Sequence, residues 1–151
     1  MSYAALFFII IIFIITIVVA ILFTIAIDNL ARVPDTTDSF NNMVLDTTIS
    51  IGTFVVIFLI FLIALDLTIG ILAYYSASRN TQSNFAFYMT VTLIIATIGL
   101  IILEFYTYSQ VILFKRDPSD TIVSSSINMI LWGIILTIIA LILSFILLAL
   151  I

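Results

Sequence analysis

Four apolar stretches dominate this 151-residue chain, near residues 4–27, 49–75, 86–113 and 128–151. Each is long enough to cross the ~30 Å of hydrocarbon in a bilayer, and no other feature narrows the possible folds so far. In lipid, backbone N–H and C=O groups must bond one another, which leaves only helices and closed barrels as spanning structures. Barrel strands would be about ten residues long with alternating polarity. The run from Phe7 to Ile15 has no alternation. The expected fold is therefore an all-α membrane protein, one domain of four transmembrane helices in an antiparallel bundle with short loops. A 24-residue helix is about 36 Å long, so the first and last spans can cross with some tilt.

Composition supports the same solvent. Hydrophobic residues make up 65% of the chain and charged residues 8%, against roughly half and a quarter in soluble domains. The chain has no cysteine and no histidine. That removes disulfides, thiolate metal sites, His-ligated metals and haem, and any dyad built on Cys or His. Four Lys and Arg against eight Asp and Glu leave no basic surface for nucleic acid. No catalytic, cofactor-binding or metal-binding residues are expected, and no soluble substrate.

The first stretch differs from a secretory signal. Its flank, Met1-Ser2-Tyr3, carries no Lys or Arg, and its apolar run exceeds the 7–15 residues usual for a signal core. It is expected to be a retained span of a multi-pass protein in the cell membrane or an energy-converting membrane. Positive charges number three on the side of the first and third loops (Arg32, Lys115, Arg116) and one on the other, Arg79. This distribution leans toward both termini outside, but Arg32 stands among four Asp in the first loop and the N-terminal amine offsets part of the difference, so both orientations stay open.

The connections are marked by turn-forming residues. Asn29, Pro34, Asp35, Asp38, Asn41 and Asn42 suggest a loop across residues 28–48, with Asp46-Thr47-Thr48 where the second helix needs an N-cap. Residues 76–84 read as a short turn. Lys115-Arg116-Asp117-Pro118 is expected to stop the third helix, and Ser124-Ser125-Ser126 to lead into the fourth. Asp35 to Asp38 and Asp117 to Asp120 form a faint echo 82 residues apart, an offset that any four-span chain with polar loops can produce by chance. Three loop acids, Asp35, Asp38 and Asp46, lack the alternate-position acids, central Gly and closing Glu of a calcium loop, so turn and cap roles are expected for them.

Without a hydrophobic drive between helices in lipid, small and weakly polar residues mark the packing faces. Helical spacing picks out Thr16, Ala20, Thr24 and Asp28 in the first span, and Asp66, Gly70, Ala73 and Ala77 in the second. The third offers Thr92, Ala96 and Gly99, and the fourth Gly133, Thr137, Ala140 and Ser144. Isoleucine is roughly a fifth of the chain, which suits a lipid-facing surface and also follows from A+T-rich codons.

Two ionisable residues fall inside the spans, Asp66 and Glu104, and such residues are functional candidates by default. Asp66 lies about 14 Å from the nearer surface, with Thr16, Thr97 and Ser144 at similar depth, so a polar layer there is expected. Such a layer fits a hydrogen bond that fixes packing, or a proton or cation site. Glu104 is nineteen residues into the third span, before Phe105-Tyr106-Thr107-Tyr108, a run with the look of an interfacial aromatic belt. It is expected to meet headgroups beside Lys115, Arg116 or Arg32. The two acids should then lie roughly 15 Å apart along the normal, too far to share a proton.

Several small membrane families are excluded by their own motifs. Proteolipid rotor subunits are rich in Gly and Ala and carry their carboxylate in the second or fourth span, whereas this chain has four Gly in all and its acids fall in spans two and three. It has no acid in the first span, where small multidrug carriers need one, and neither the facing Asp pair nor the Ser–His pair of intramembrane proteases. The expected role is a non-catalytic accessory subunit of a larger integral membrane complex, by analogy an energy-converting oxidoreductase of respiratory or oxygenase type. Its partners would be other integral membrane subunits and lipid. The alternative is a small oligomeric proton- or cation-coupled carrier or channel using Asp66.

Overall fold

The computed structural model describes residues 3–35, 37–79, 84–114 and 121–151. These contain four helices, α1 (Tyr3–Ala31), α2 (Ser39–Ser78), α3 (Asn84–Val111) and α4 (Thr121–Leu150), and no strands. Each is long and apolar enough to cross a membrane. Isoleucine-rich runs have only middling helix propensity in water, but in lipid the helix is the conformation that satisfies its own backbone. α1 packs on α2 and α4, and α3 packs on the same two, so the helices form an antiparallel square closed by α4 against α1.

Nearly every face of each helix is apolar, so hydrophobicity does not mark the inner one. The buried positions do. On α1 they are Ala5, Ile9, Ile12, Thr16, Val19, Phe23, Ala26 and Leu30, alternating steps of four and three. On α3 the series runs Ala86, Thr90, Leu93, Thr97, Leu100, Glu104, Thr107 and Val111. α4 gives Val123, Ser126, Ile130, Gly133, Thr137, Ala140, Ser144 and Leu147. This is a heptad seam with a 3.5-residue period, the pattern that packs knobs into holes and favours a left-handed supercoil.

The seam corrects two of the expected packing stripes. Thr16, Ala20, Thr24 and Asp28 advance by four at every step, and each such step turns about 40° past the last on a 3.6-residue helix. Thr16 is buried, Ala20 is half-buried, and Thr24 and Asp28 are exposed. On α3, Thr92, Ala96 and Gly99 keep the seam's spacing but each lies one residue before Leu93, Thr97 and Leu100, so Thr92 is exposed and Ala96 and Gly99 only half-buried. On α2, Asp66 and Ala73 are buried while Gly70 and Ala77 are half-buried; on α4 all four expected residues are buried.

Helix α2 starts ten residues earlier than the apolar run implies. Asp38, not Asp46, is its N-cap, its Oδ1 accepting from the backbone N–H of Phe40 at 3.0 Å and of Asn41 at 3.4 Å. Asp46 is an exposed residue within the helix. The extension follows from packing: Asn41, Val44, Leu45 and Thr48 continue the inner seam, and Val44 and Leu45 join the same buried cluster as Leu30, Val111, Phe114 and Val123. Forty residues make a helix of about 60 Å, so one end of α2 reaches well past the hydrocarbon. At the start of α4, Ser124, Ser125 and Ser126 are helical rather than a leader into it. Ser126 Oγ donates to the Ile122 carbonyl at 2.9 Å, the back-bond that lets a hydroxyl sit inside a helix. Lys115, Arg116 and the Asp117–Asp120 half of the loop echo lie outside the described residues.

Two glycines permit close contact on the seam. A Cβ at Gly133 would stand 2.5 Å from the ring of Phe23, which is wholly buried. A Cβ at Gly52 would collide with the tip of Ile27. Gly99, expected to serve packing, has open space where its side chain would be.

Candidate functional site

Both intramembrane acids are buried, each against a threonine of a neighbouring helix. Asp66 is 1% exposed, and its Oδ2 lies 2.9 Å from Thr16 Oγ1 on α1. Glu104 is 0% exposed, with Oε1 2.9 Å from Thr137 Oγ1 on α4. Each threonine also bonds back along its own helix. Thr16 Oγ1 is 2.8 Å from the Ile12 carbonyl, and Thr137 Oγ1 is 2.8 Å from the Gly133 carbonyl.

Proton counting gives these contacts their meaning. A hydroxyl has one proton to donate, and a backbone carbonyl only accepts. Thr16 Oγ1 is within donor distance of both the Ile12 carbonyl and Asp66 Oδ2, and an acid that supplies its own proton to Thr16 frees the hydroxyl proton for the carbonyl. The same count applies to Thr137 and Glu104. Each clamp thus links a carboxyl group, a threonine hydroxyl and a main-chain carbonyl, joining α2 to α1 and α3 to α4. In each, one carboxyl oxygen, Asp66 Oδ1 or Glu104 Oε2, is buried without a hydrogen-bond partner among the described residues.

The clamps stand at different depths. The methyl of Thr107 is 3.8 Å from the position a Cβ would take at Gly52, which fixes α3 against α2. Fourteen residues separate Gly52 from Asp66 on α2, and three separate Thr107 from Glu104 on α3. The acids therefore differ by about 16 Å along the bundle, as the sequence suggests, and do not share a proton.

Glu104 departs from expectation in another respect. It does not meet headgroups: the α3 seam carries it inward onto Thr137, while the exposed Arg32 pairs with Asp28 on its own helix at 3.0 Å. Of the residues that follow Glu104, Phe105 and Tyr106 are exposed and Thr107 is buried. Nor do the hydroxyls expected near Asp66 gather as one layer. Thr16 reaches it, but Thr97 donates to the Leu93 carbonyl at 2.7 Å and Ser144 to the Ala140 carbonyl at 2.8 Å. Thr16, Thr97, Thr137 and Ala140 border a central cavity of about 10 Å³, at the lower limit for one water. The pairing of Glu104 with Thr137, and the Phe23–Gly133 contact one turn away, were not anticipated; the heptad register of α3 and α4 is the signal that would have revealed them.

The Asp66 clamp adjoins a larger space. A groove of about 420 Å³ runs along the outer junction of α1 and α2, walled by apolar and aromatic side chains including Ile9, Phe13, Tyr74 and Tyr75. Asp66 borders its deeper end and Gly70 its middle. No cluster of three or more potential metal ligands occurs among the described residues, and of the loop acids Asp38 serves as the α2 cap. No protein-family model, curated protein or solved structure matches this chain.

Proposed function

We propose that this chain is a non-catalytic structural subunit of a larger integral membrane complex. The observation that carries the reading is how its interior polar groups are used. Each intramembrane acid is tied to a hydroxyl of the next helix, at separate levels of a seam that leaves a cavity of only about 10 Å³ between the helices. Polar side chains so arranged hold helices in register, the role that interhelical hydrogen bonds take in lipid. The outer surface supports the same reading, since large side chains such as Ile57, Ile95, Ile102 and Trp132 stand out from α2, α3 and α4 and suit partner helices as well as lipid. Energy-converting oxidoreductases, respiratory or oxygenase, are the assemblies to examine first, because small helical subunits recur around their cofactor-bearing cores.

The test is purification of the tagged full chain from its native membrane in mild detergent, with mass spectrometry of the proteins recovered. Stoichiometric recovery with larger membrane subunits is expected. Recovery as a homo-oligomer alone would overturn the proposal and favour an oligomeric carrier using Asp66.

A further inference from the structure

The groove between α1 and α2 has the size and lining of a ligand site. Its volume, about 420 Å³, falls within the range of small-molecule pockets, which are apolar with a few polar groups that fix orientation. Its single acid is Asp66, 1% exposed and with Oδ1 unpartnered among the described residues. A buried polar atom without a partner is costly, and here an adjoining void allows an incoming group to complete it. On α2 the groove runs from Asp66 to Tyr75, about 14 Å, from near mid-depth toward the surface. That is roughly half the hydrocarbon thickness, too short to seat a whole crossing helix.

We propose that this groove is a lateral binding site for a lipid-soluble molecule with an apolar body and one hydrogen-bond donor, a hydroxyl or an amine, whose donor rests on Asp66 Oδ1. The donor requirement follows from the clamp. With Thr16 bonded to Oδ2, Oδ1 is left as an acceptor both in the ionised carboxylate and in an acid that holds its proton on Oδ2. The apolar body lies along Phe13 and Gly70 toward Tyr74 and Tyr75. Gly70 is what keeps the space open: a Cβ there would touch only Ile9, at 3.9 Å, an ordinary contact. A longer side chain at 70 can therefore occupy the groove without colliding with the bundle. Glu104, which borders no comparable groove among the described residues, provides an internal control.

The probe is dicyclohexylcarbodiimide, an apolar reagent that reaches acids from the lipid side. The acid proton passes to one carbodiimide nitrogen and the carboxyl oxygen bonds to the central carbon. Migration of the acyl group to nitrogen then leaves a stable adduct, with no leaving group and no second reactant. The full chain in lipid nanodiscs is treated alone and with dodecan-1-ol or dodecane, and adducts are located by peptide mass spectrometry. Labelling is expected at Asp66 at least tenfold faster than at Glu104, and slowed severalfold by the alcohol but not by the alkane. Gly70→Leu should slow it as the alcohol does, and Gly70→Ala should have an intermediate effect. Equal labelling of both acids, no labelling of Asp66, or equal protection by alkane and alcohol would overturn the site.

Discussion

The α1/α2 and α3/α4 halves of the bundle hold the same device in different surroundings. In each, an acid meets a threonine that is back-bonded to its own helix, with the contact at 2.9 Å in both, and one carboxyl oxygen has no partner among the described residues. Around Glu104 the packing is close: Gly133, whose carbonyl accepts from Thr137, lies against the Phe23 ring. Around Asp66 a groove opens beside Gly70. The comparison teaches that a buried acid is not functional by burial alone. Where neighbours fill the space the acid is a fastener, and where a void reaches it the same acid can receive a ligand.

Substitutions can break this contrast. The largest effect is expected from Gly133→Leu, which drives a side chain into a rigid buried ring on the closed side. Overpacking should cost about 3 kcal/mol, read as a shift in reversible unfolding in mixed micelles and as weaker recovery of partner subunits. Phe23→Ala in the same chain should restore part of the loss. Unchanged unfolding and assembly in Gly133→Leu would show that the α1/α4 contact is not close.

Next come the clamp threonines. Thr137→Val strips Glu104 of its partner beside a cavity of only about 10 Å³, and should cost about 2 kcal/mol. Thr16→Val should cost less, about 1 kcal/mol, because a group entering the groove that Asp66 borders can still hydrogen-bond its carboxyl. Equal costs in unfolding measurements would erase the difference between the halves. The smallest effect is expected on the open side, where Gly70→Leu and the outward-facing Gly99→Leu should each stay within about 0.5 kcal/mol of the parent. A large loss for Gly70→Leu would mean that the groove closes in solution.

Much of the fold was legible in the sequence because lipid removes alternatives: apolar length alone gave four antiparallel helices. The ends were less legible. Asp46 looked like a cap because the apolar run starts after it, yet α2 begins at Ser39 through contacts that only the assembled bundle supplies. Both acids could be identified as unusual, and Thr16 could be placed at the depth of Asp66. The inward turn of Glu104 could not be read from depth, since it depends on a 3.5-residue seam hidden among equally apolar lipid-facing positions. Gly133, Thr137 and Ala140 were found because α4 places its small residues on that seam. Thr24 and Asp28 misled because steps of four leave the seam, and Thr92 because it lies one residue out of register with it.

The most direct test of the two-clamp arrangement is infrared spectroscopy of the carboxylic acid C=O stretch in the full chain, in nanodiscs at neutral pH, with Asp66→Asn and Glu104→Gln used to assign the bands. The expected spectrum has two protonated-acid bands, one lost in each variant, and dodecan-1-ol shifts the Asp66 band alone. Carboxylate bands in place of acid bands would contradict the clamps, and an equal shift of both bands would contradict the distinction between the open and the closed half.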